Sequence, residues 1–155
     1  MSAARTMGGP TSQVRIFMSF DLAHDQDLKK RLLAESLKPG SGFEISACSE
    51  GAELDDSWKE RVRRRIGDAD ELIVICGEHT QDSIQVAAEI GIAQEELKPY
   101  FLLWGRREVM CTKPIGARSG EAMYSWTPSI VSGQVAMTLR IAHSVAELPD
   151  RYKRP

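Results

Sequence analysis

Aromatics, cysteine, net charge and long apolar runs are all scarce in this sequence. Aromatic residues are 6% of the 155 positions, so a core has to come mainly from aliphatic side chains. The three cysteines, Cys48, Cys76 and Cys111, are odd in number and fit neither a disulfide framework nor metal-ligand spacing. With no secretory leader at the start, they point to a reducing, cytoplasmic setting. Lys plus Arg number 20 and Asp plus Glu 22, a net charge of −2. That balance argues against a nucleic-acid partner, which selects a strongly basic face. No apolar run approaches the roughly 20 residues of a membrane span, so no membrane partner is expected. There is no P-loop and no G-x-G-x-x-G. His24, His79 and His143 are scattered with no i, i+4 pair, so neither a metal site nor a bound cofactor is expected.

What is present is ordinary globular material, 42% hydrophobic and 27% charged, long enough for one domain with one substantial core. Residues 1–13 are rich in Gly, Ser, Thr, Ala and Pro and read as a flexible lead-in. A single domain is expected over 14–148, and a polar tail over 149–155. Val14–Phe20 is β-branched and aromatic and reads as a first strand. Leu28, Leu32, Leu33 and Leu37 then mark one face of a helix over about 25–37. Pro39–Gly42 breaks the chain, and Phe43–Ala47 is a short second strand. Asp55, Asp56 or Ser57 is placed to cap a helix carrying Trp58, Val62 and Ile66, which Gly67 stops. Glu71–Cys76 is nearly all apolar, as a central parallel strand buried on both faces should be. The third helix, Asp82–Leu97, is apolar or small almost all round, so it packs on more than one side. Pro99–Trp104 is a fourth strand and 105–120 a long loop. A short fifth strand falls within 123–127, and Pro128 opens a last helix with Val131, Val135, Leu139 and Ala142 on one side.

This alternation predicts an α/β fold: a flavodoxin-like three-layer sandwich with a parallel sheet of four to five strands in the order 2-1-3-4-5. In such a sheet, ligands sit beyond the carboxyl ends of strands one and three. That crevice is expected between Phe20–Asp25 and Gly77–Ser83, with help from the loop Cys48–Trp58. Gly77 and Glu78 stand where a phospho-receiver domain would carry its Asp. Acidic residues follow strand one where a flavin-phosphate loop would need Thr, Ser and Gly.

The notable carboxylate is Glu89, set inside Val86–Ala93. Burying it is costly unless it is paired or used; the alternative is a position at the helix rim, facing water. At the crevice, Phe20 has the chemistry to stack on a base or nicotinamide, or else it is core. Asp21 either binds a ribose hydroxyl or caps the next helix. Trp58 either walls a pocket or packs on its helix face. Arg61, Arg63, Arg64 and Arg65, and the later Arg106, Arg107, Lys113 and Arg118, either contact phosphate or lie in solvent. Cys48 and Cys76 read as buried small hydrophobes.

These segments resemble a known family. Arg15–Asp21 with His24 and Asp25 looks like the opening strand and loop of a TIR-like domain. Trp58-Lys-Glu60, Arg65-Ile66 and Asp70–Gly77 resemble its second helix and third strand. Thr80-x-x-Ser83-x-x-Val86-x-x-Glu89-Ile90 resembles the helix that carries the family's Glu. Glu96–Gly105 and Met123–Thr127 resemble later segments of the short stand-alone TIR-like proteins of bacteria and archaea. The similarity runs from about Val14 to Leu139. It implies Glu89 as the catalytic residue; Ser19, Phe20, Asp21, Trp58 and Ser83, at or beside the expected crevice, are the candidates to bind substrate. It implies NAD or a related nucleotide as substrate, with cleavage of the nicotinamide–ribose bond to ADP-ribose or a cyclic signal, as in Thoeris antiphage defence. It also implies self-association, and a downstream effector or partner protein. Gln85 departs from the aromatic residue common just before the motif's Val. Two other readings follow from resemblance. One is a non-catalytic TIR-like signalling or assembly module. The other is a nucleoside deoxyribosyltransferase-like enzyme, whose nucleophilic Glu sits in a helix resembling Asp82–Ala93.

Overall fold

The structure is a computed structural model that describes residues 13–51 and 53–146. The expected lead-in over 1–13, apart from Gln13, and the tail over 149–155 lie outside the described residues. Five strands form one parallel sheet in the order β2-β1-β3-β4-β5: β1 (Val14–Ser19), β2 (Phe43–Cys48), β3 (Glu71–Cys76), β4 (Tyr100–Trp104) and β5 (Met123–Tyr124). The helices are α1 (Gln26–Ser36), α2 (Asp56–Gly67), α3 (Ile84–Glu95) and α4 (Pro128–Ala146), with one 3-10 turn at Thr80–Asp82. The expected class and strand order hold.

Alternation along β1 assigns the layers. Ile16, Met18 and Phe20 face one side, where they pack with Leu28 and Leu32 of α1 and Val131 and Val135 of α4. Phe17 faces the other side, against Trp58, Val62 and Ile66 of α2 and Ile92 and Ala93 of α3. β3 is buried at all six positions, because helices cover it front and back. Val74 and Cys76 meet Val86 and Ile90 of α3, while Ile73 and Ile75 meet the α1/α4 layer. α3 thus packs into two clusters, as its broad apolar surface predicts.

Local chemistry sets the boundaries. The Asp55 side chain accepts from the Trp58 N–H at 2.9 Å and caps α2. α3 begins two residues later than expected because Thr80–Asp82 forms a separate 3-10 turn and Ser83 becomes the cap, accepting from the Val86 N–H at 3.1 Å. Leu97 ends the chain's run beyond α3 with a left-handed φ of 56°. The expected apolar face of α1 is only half right: Leu28 and Leu32 are buried, but Leu33 is 38% and Leu37 78% exposed. The buried stripe runs Leu28, Leu32, Ser36, so Leu33 sits one position off it and Leu37 falls beyond the helix end. Among the described residues, no helix is long and apolar enough to cross a membrane.

Candidate active site

The carboxyl ends of β1, β2 and β3 bring three segments together. The loop after β1 and the loop after β3 meet as expected. The His24 and His79 rings stack at 3.9 Å between centroids. A Cβ on Gly77 would collide with the Asp25 carboxylate, so only glycine lets the loops come this close. Asp25 accepts from Arg106 at 3.0 Å through Oδ1, while its buried Oδ2 has no hydrogen-bond partner among the described residues. Burial raises the Asp25 pKa, and the Arg106 hydrogen bond and charge only partly oppose it.

Glu89 lies on α3 beneath these loops and is fully buried. The rim reading is therefore wrong and the buried one right. Three neutral donors hold it. Ser19 Oγ donates to Oε1 at 2.6 Å, Ser49 Oγ to the same oxygen at 2.8 Å, and Gln85 Nε2 to Oε2 at 2.6 Å. Ser49 is itself fixed. Its N–H donates to the Met18 carbonyl at 3.0 Å, and its Oγ accepts from the Phe20 N–H at 3.1 Å. The pairing of β1 with β2 thus continues one step past the strands and delivers a hydroxyl to the carboxylate.

The electrostatics follow. Burial pushes the Glu89 pKa up to about 7, against the lowering effect of the bonds from Ser19, Gln85 and Ser49; the nearby Glu50 charge adds a small further rise. Among the described residues no cation pairs with Glu89, so its two forms are balanced near neutral pH. Glu50 is clamped by Arg65 and by Arg61 at 3.0 Å, and chiefly the Arg65 bond holds it below the usual carboxylate range.

The other expected site residues divide. Ser19 is in the site. Asp21 is at its mouth, 7% exposed, but is occupied locally: it accepts from the Ala23 N–H at 3.1 Å and pairs with His24 Nδ1 at 2.7 Å. Phe20 requires a correction. Alternation turns it to the opposite face from Ser19, into the core with Leu28 and Ile75, leaving no ring face for stacking. Trp58 is likewise core, fully buried against Phe17 and Ile66, its indole N–H donating to the Glu50 carbonyl at 3.3 Å. Ser83 spends its hydroxyl on the helix cap. Cys48 is half-buried rather than buried, whereas Cys76 and Cys111 are buried.

Of the basic residues, Arg61, Arg63, Arg64, Arg65 and Arg106 pair with carboxylates. Arg63 bonds Glu95 and Glu96 at 3.0 Å each. Arg106 forks onto Asp27 at 2.8 and 2.9 Å and joins the loop after β4 to the start of α1. Sequence reasoning did not single out Ser49, and took Gln85 only as a lost aromatic. A usable signal existed: in a parallel pair, the residue just past β2 sits beside the end of β1.

A sequence model of the family described as Thoeris protein ThsB, TIR-like domain, matches residues 17–106. That span runs from Phe17 on β1 to Arg106 just beyond β4, and it contains Ser19, Ser49, Gln85 and Glu89. Among solved structures, one titled as a crystal structure of a prokaryotic SEFIR domain is similar at 18% identity. It covers 92% of this chain and 98% of its own, with a TM-score of 0.46. No match is found among curated protein sequences.

Proposed function

The chain belongs to the TIR-like domain family of the Thoeris protein ThsB, and from that premise we propose that it cleaves the nicotinamide–ribose bond of NAD at Glu89. The observation that supports this reading is the enclosed Glu89 carboxylate, held by Ser19, Ser49 and Gln85 with no counter-cation. The glycosidic C–N bond breaks with its electron pair going to nicotinamide, which leaves neutral because its ring was cationic. Positive charge develops on the ribose ring. An ionised carboxylate in a dry site stabilises that charge more than it stabilises the ground state. Water then adds at the anomeric carbon and loses a proton, giving ADP-ribose. Attack by a nitrogen or hydroxyl of the same molecule gives a cyclic product instead. In this reading the protein is cytoplasmic, self-associates and serves antiphage defence by making a nucleotide signal.

The complete enclosure of Glu89 favours a second reading, a TIR-like signalling or assembly module in which the carboxylate is structural. Incubating concentrated protein with NAD, and reading nicotinamide and nucleotide products by chromatography and mass spectrometry, separates the two. Release of nicotinamide by the wild type and its loss in Glu89→Gln supports cleavage, and the product mass distinguishes hydrolysis from cyclisation. No release at high concentration with a crowding agent supports the module. Base exchange between deoxynucleosides with NAD untouched would instead favour a deoxyribosyltransferase-like reaction.

A further inference from the structure

The three donors around Glu89 are not equivalent. Ser19 lies on β1 with no exposure, and Ser49 is 5% exposed, its N–H donating to the Met18 carbonyl of β1 and its hydroxyl accepting from the Phe20 N–H just past β1. Neither hydroxyl can leave without disturbing the end of the sheet. Gln85 is partly exposed, and its long side chain is held by a single hydrogen bond, to Glu89 Oε2 at 2.6 Å. It also stands one helical turn before Glu89. α3 runs antiparallel to the strands, so one turn earlier is one turn nearer the carboxyl-end crevice where ligands of such sheets bind. The serines occupy both lone pairs of Oε1, and Gln85 takes one of the two on Oε2. The remaining contact capacity of the carboxylate is therefore on the oxygen that Gln85 covers.

We propose that Gln85 is a gate over Glu89: in this conformation its amide shuts the carboxylate off from the crevice, and it swings outward to admit a substrate hydroxyl or water to Oε2. The exchange is one donor for another. An arriving hydroxyl or water replaces the Gln85 N–H, and the freed amide turns to water, so no buried polar group is left unpaired. Without a ligand, opening would leave Oε2 short of a donor, and the closed state wins. The gate reduces the binding-competent fraction and raises the apparent KM by the same factor. This proposal rests on the glycosidic reading of Glu89 only for its kinetic consequence; the gate itself follows from the contacts.

The test uses the full chain as wild type, Gln85→Ala and Gln85→Met. Carboxyls are amidated with a water-soluble carbodiimide and an amine at about pH 5, under identical conditions for the three proteins. Peptide mass spectrometry reads labelling at Glu89 against the exposed Glu60. Wild-type Glu89 is expected to label far more slowly than Glu60. Loss of the tether should speed Glu89 labelling by about tenfold in Gln85→Ala, the factor carried by one such hydrogen bond, and by a smaller factor in Gln85→Met, which keeps the bulk. Thiol labelling of buried Cys76 is the control and should not change. Equal labelling in all three proteins would overturn the gate, as would Glu89 labelling as fast as Glu60 in the wild type. Parallel exposure of Cys76 would also overturn it, by showing general loosening. With NAD, Gln85→Ala should lower KM relative to the wild type. If no variant releases nicotinamide, the glycosidic reading fails by itself, and the labelling still decides the gate.

Discussion

Replacing Glu89 by Gln should stabilise the fold, and only at high pH. The wild-type carboxyl has its pKa raised from 4.5 in the unfolded chain to about 7 in the fold. The folded state therefore binds this proton more tightly. Stability from this group is fully present below pH 4.5 and is lost as pH rises through 7. A shift of that size is worth about 3 kcal/mol at pH 8 and under about 1 kcal/mol at pH 5. The substituted amide carries no charge to desolvate. Its carbonyl can still accept from Ser19 and Ser49, but its NH2 faces Gln85, which must turn its own amide over to accept. With roughly 1 kcal/mol charged to that rearrangement, Glu89→Gln should gain about 2 kcal/mol at pH 8 and nothing at pH 5. Urea unfolding at the two pH values measures it; for a domain of this size the pH 8 midpoint should rise by about 1 M. An effect of Glu89→Gln that is destabilising and equal at both pH values would refute the reasoning. It would mean that Glu89 is a satisfied structural acceptor without an ionisation cost.

Two more outcomes follow from the same physics. Gly77→Ala drives a methyl into the Asp25 carboxylate and should cost about 1–3 kcal/mol in denaturant unfolding. Asp25→Ala should recover much of that loss, and strict additivity of the two would show that the contact is not the cause. Glu71 is fully buried at the start of β3, neither carboxyl oxygen has a hydrogen-bond partner among the described residues, and burial, with a lesser push from Asp70, raises its pKa to about 9. Its folded pKa lies above the unfolded value, so stability falls as pH climbs from about 5 to 9. Glu71→Gln should flatten that decline in pH-dependent melting, and an unchanged slope would contradict the assignment.

The sheet was legible because its strands carry their own signal. Glu71–Cys76 reads as buried on both faces from its apolar run alone, and it is. Pro39–Gly42 and Gly67 punctuate the chain where the elements end. Glu89 was legible for a related reason: a charge inside an apolar helix must find partners. The partners were not legible. Ser49 becomes a ligand of Glu89 only because β2 pairs beside β1, which follows from the strand order and not from any pattern within its own loop. Gln85 is an ordinary helix residue until its i+4 neighbour is known to point inward. The core reading of Phe20 could have been chosen over the stacking one from alternation: once Ser19 faces α3, its neighbour has to face α1 and α4. Leu33 and Leu37 fit the helical period, but period cannot tell which of two adjacent stripes, Leu28–Leu32–Ser36 or Leu33–Leu37, faces the sheet.

The central claim is that the ionised Glu89 carboxylate breaks the nicotinamide–ribose bond. The most direct measurement is the pH dependence of nicotinamide release from NAD by concentrated protein, set beside the Glu89 titration followed by carbon-13 NMR. The account predicts that release rises with pH along the Glu89 titration, with a midpoint near 7, and vanishes in Glu89→Gln. Release that persists in Glu89→Gln, or that ignores the Glu89 titration, would contradict it.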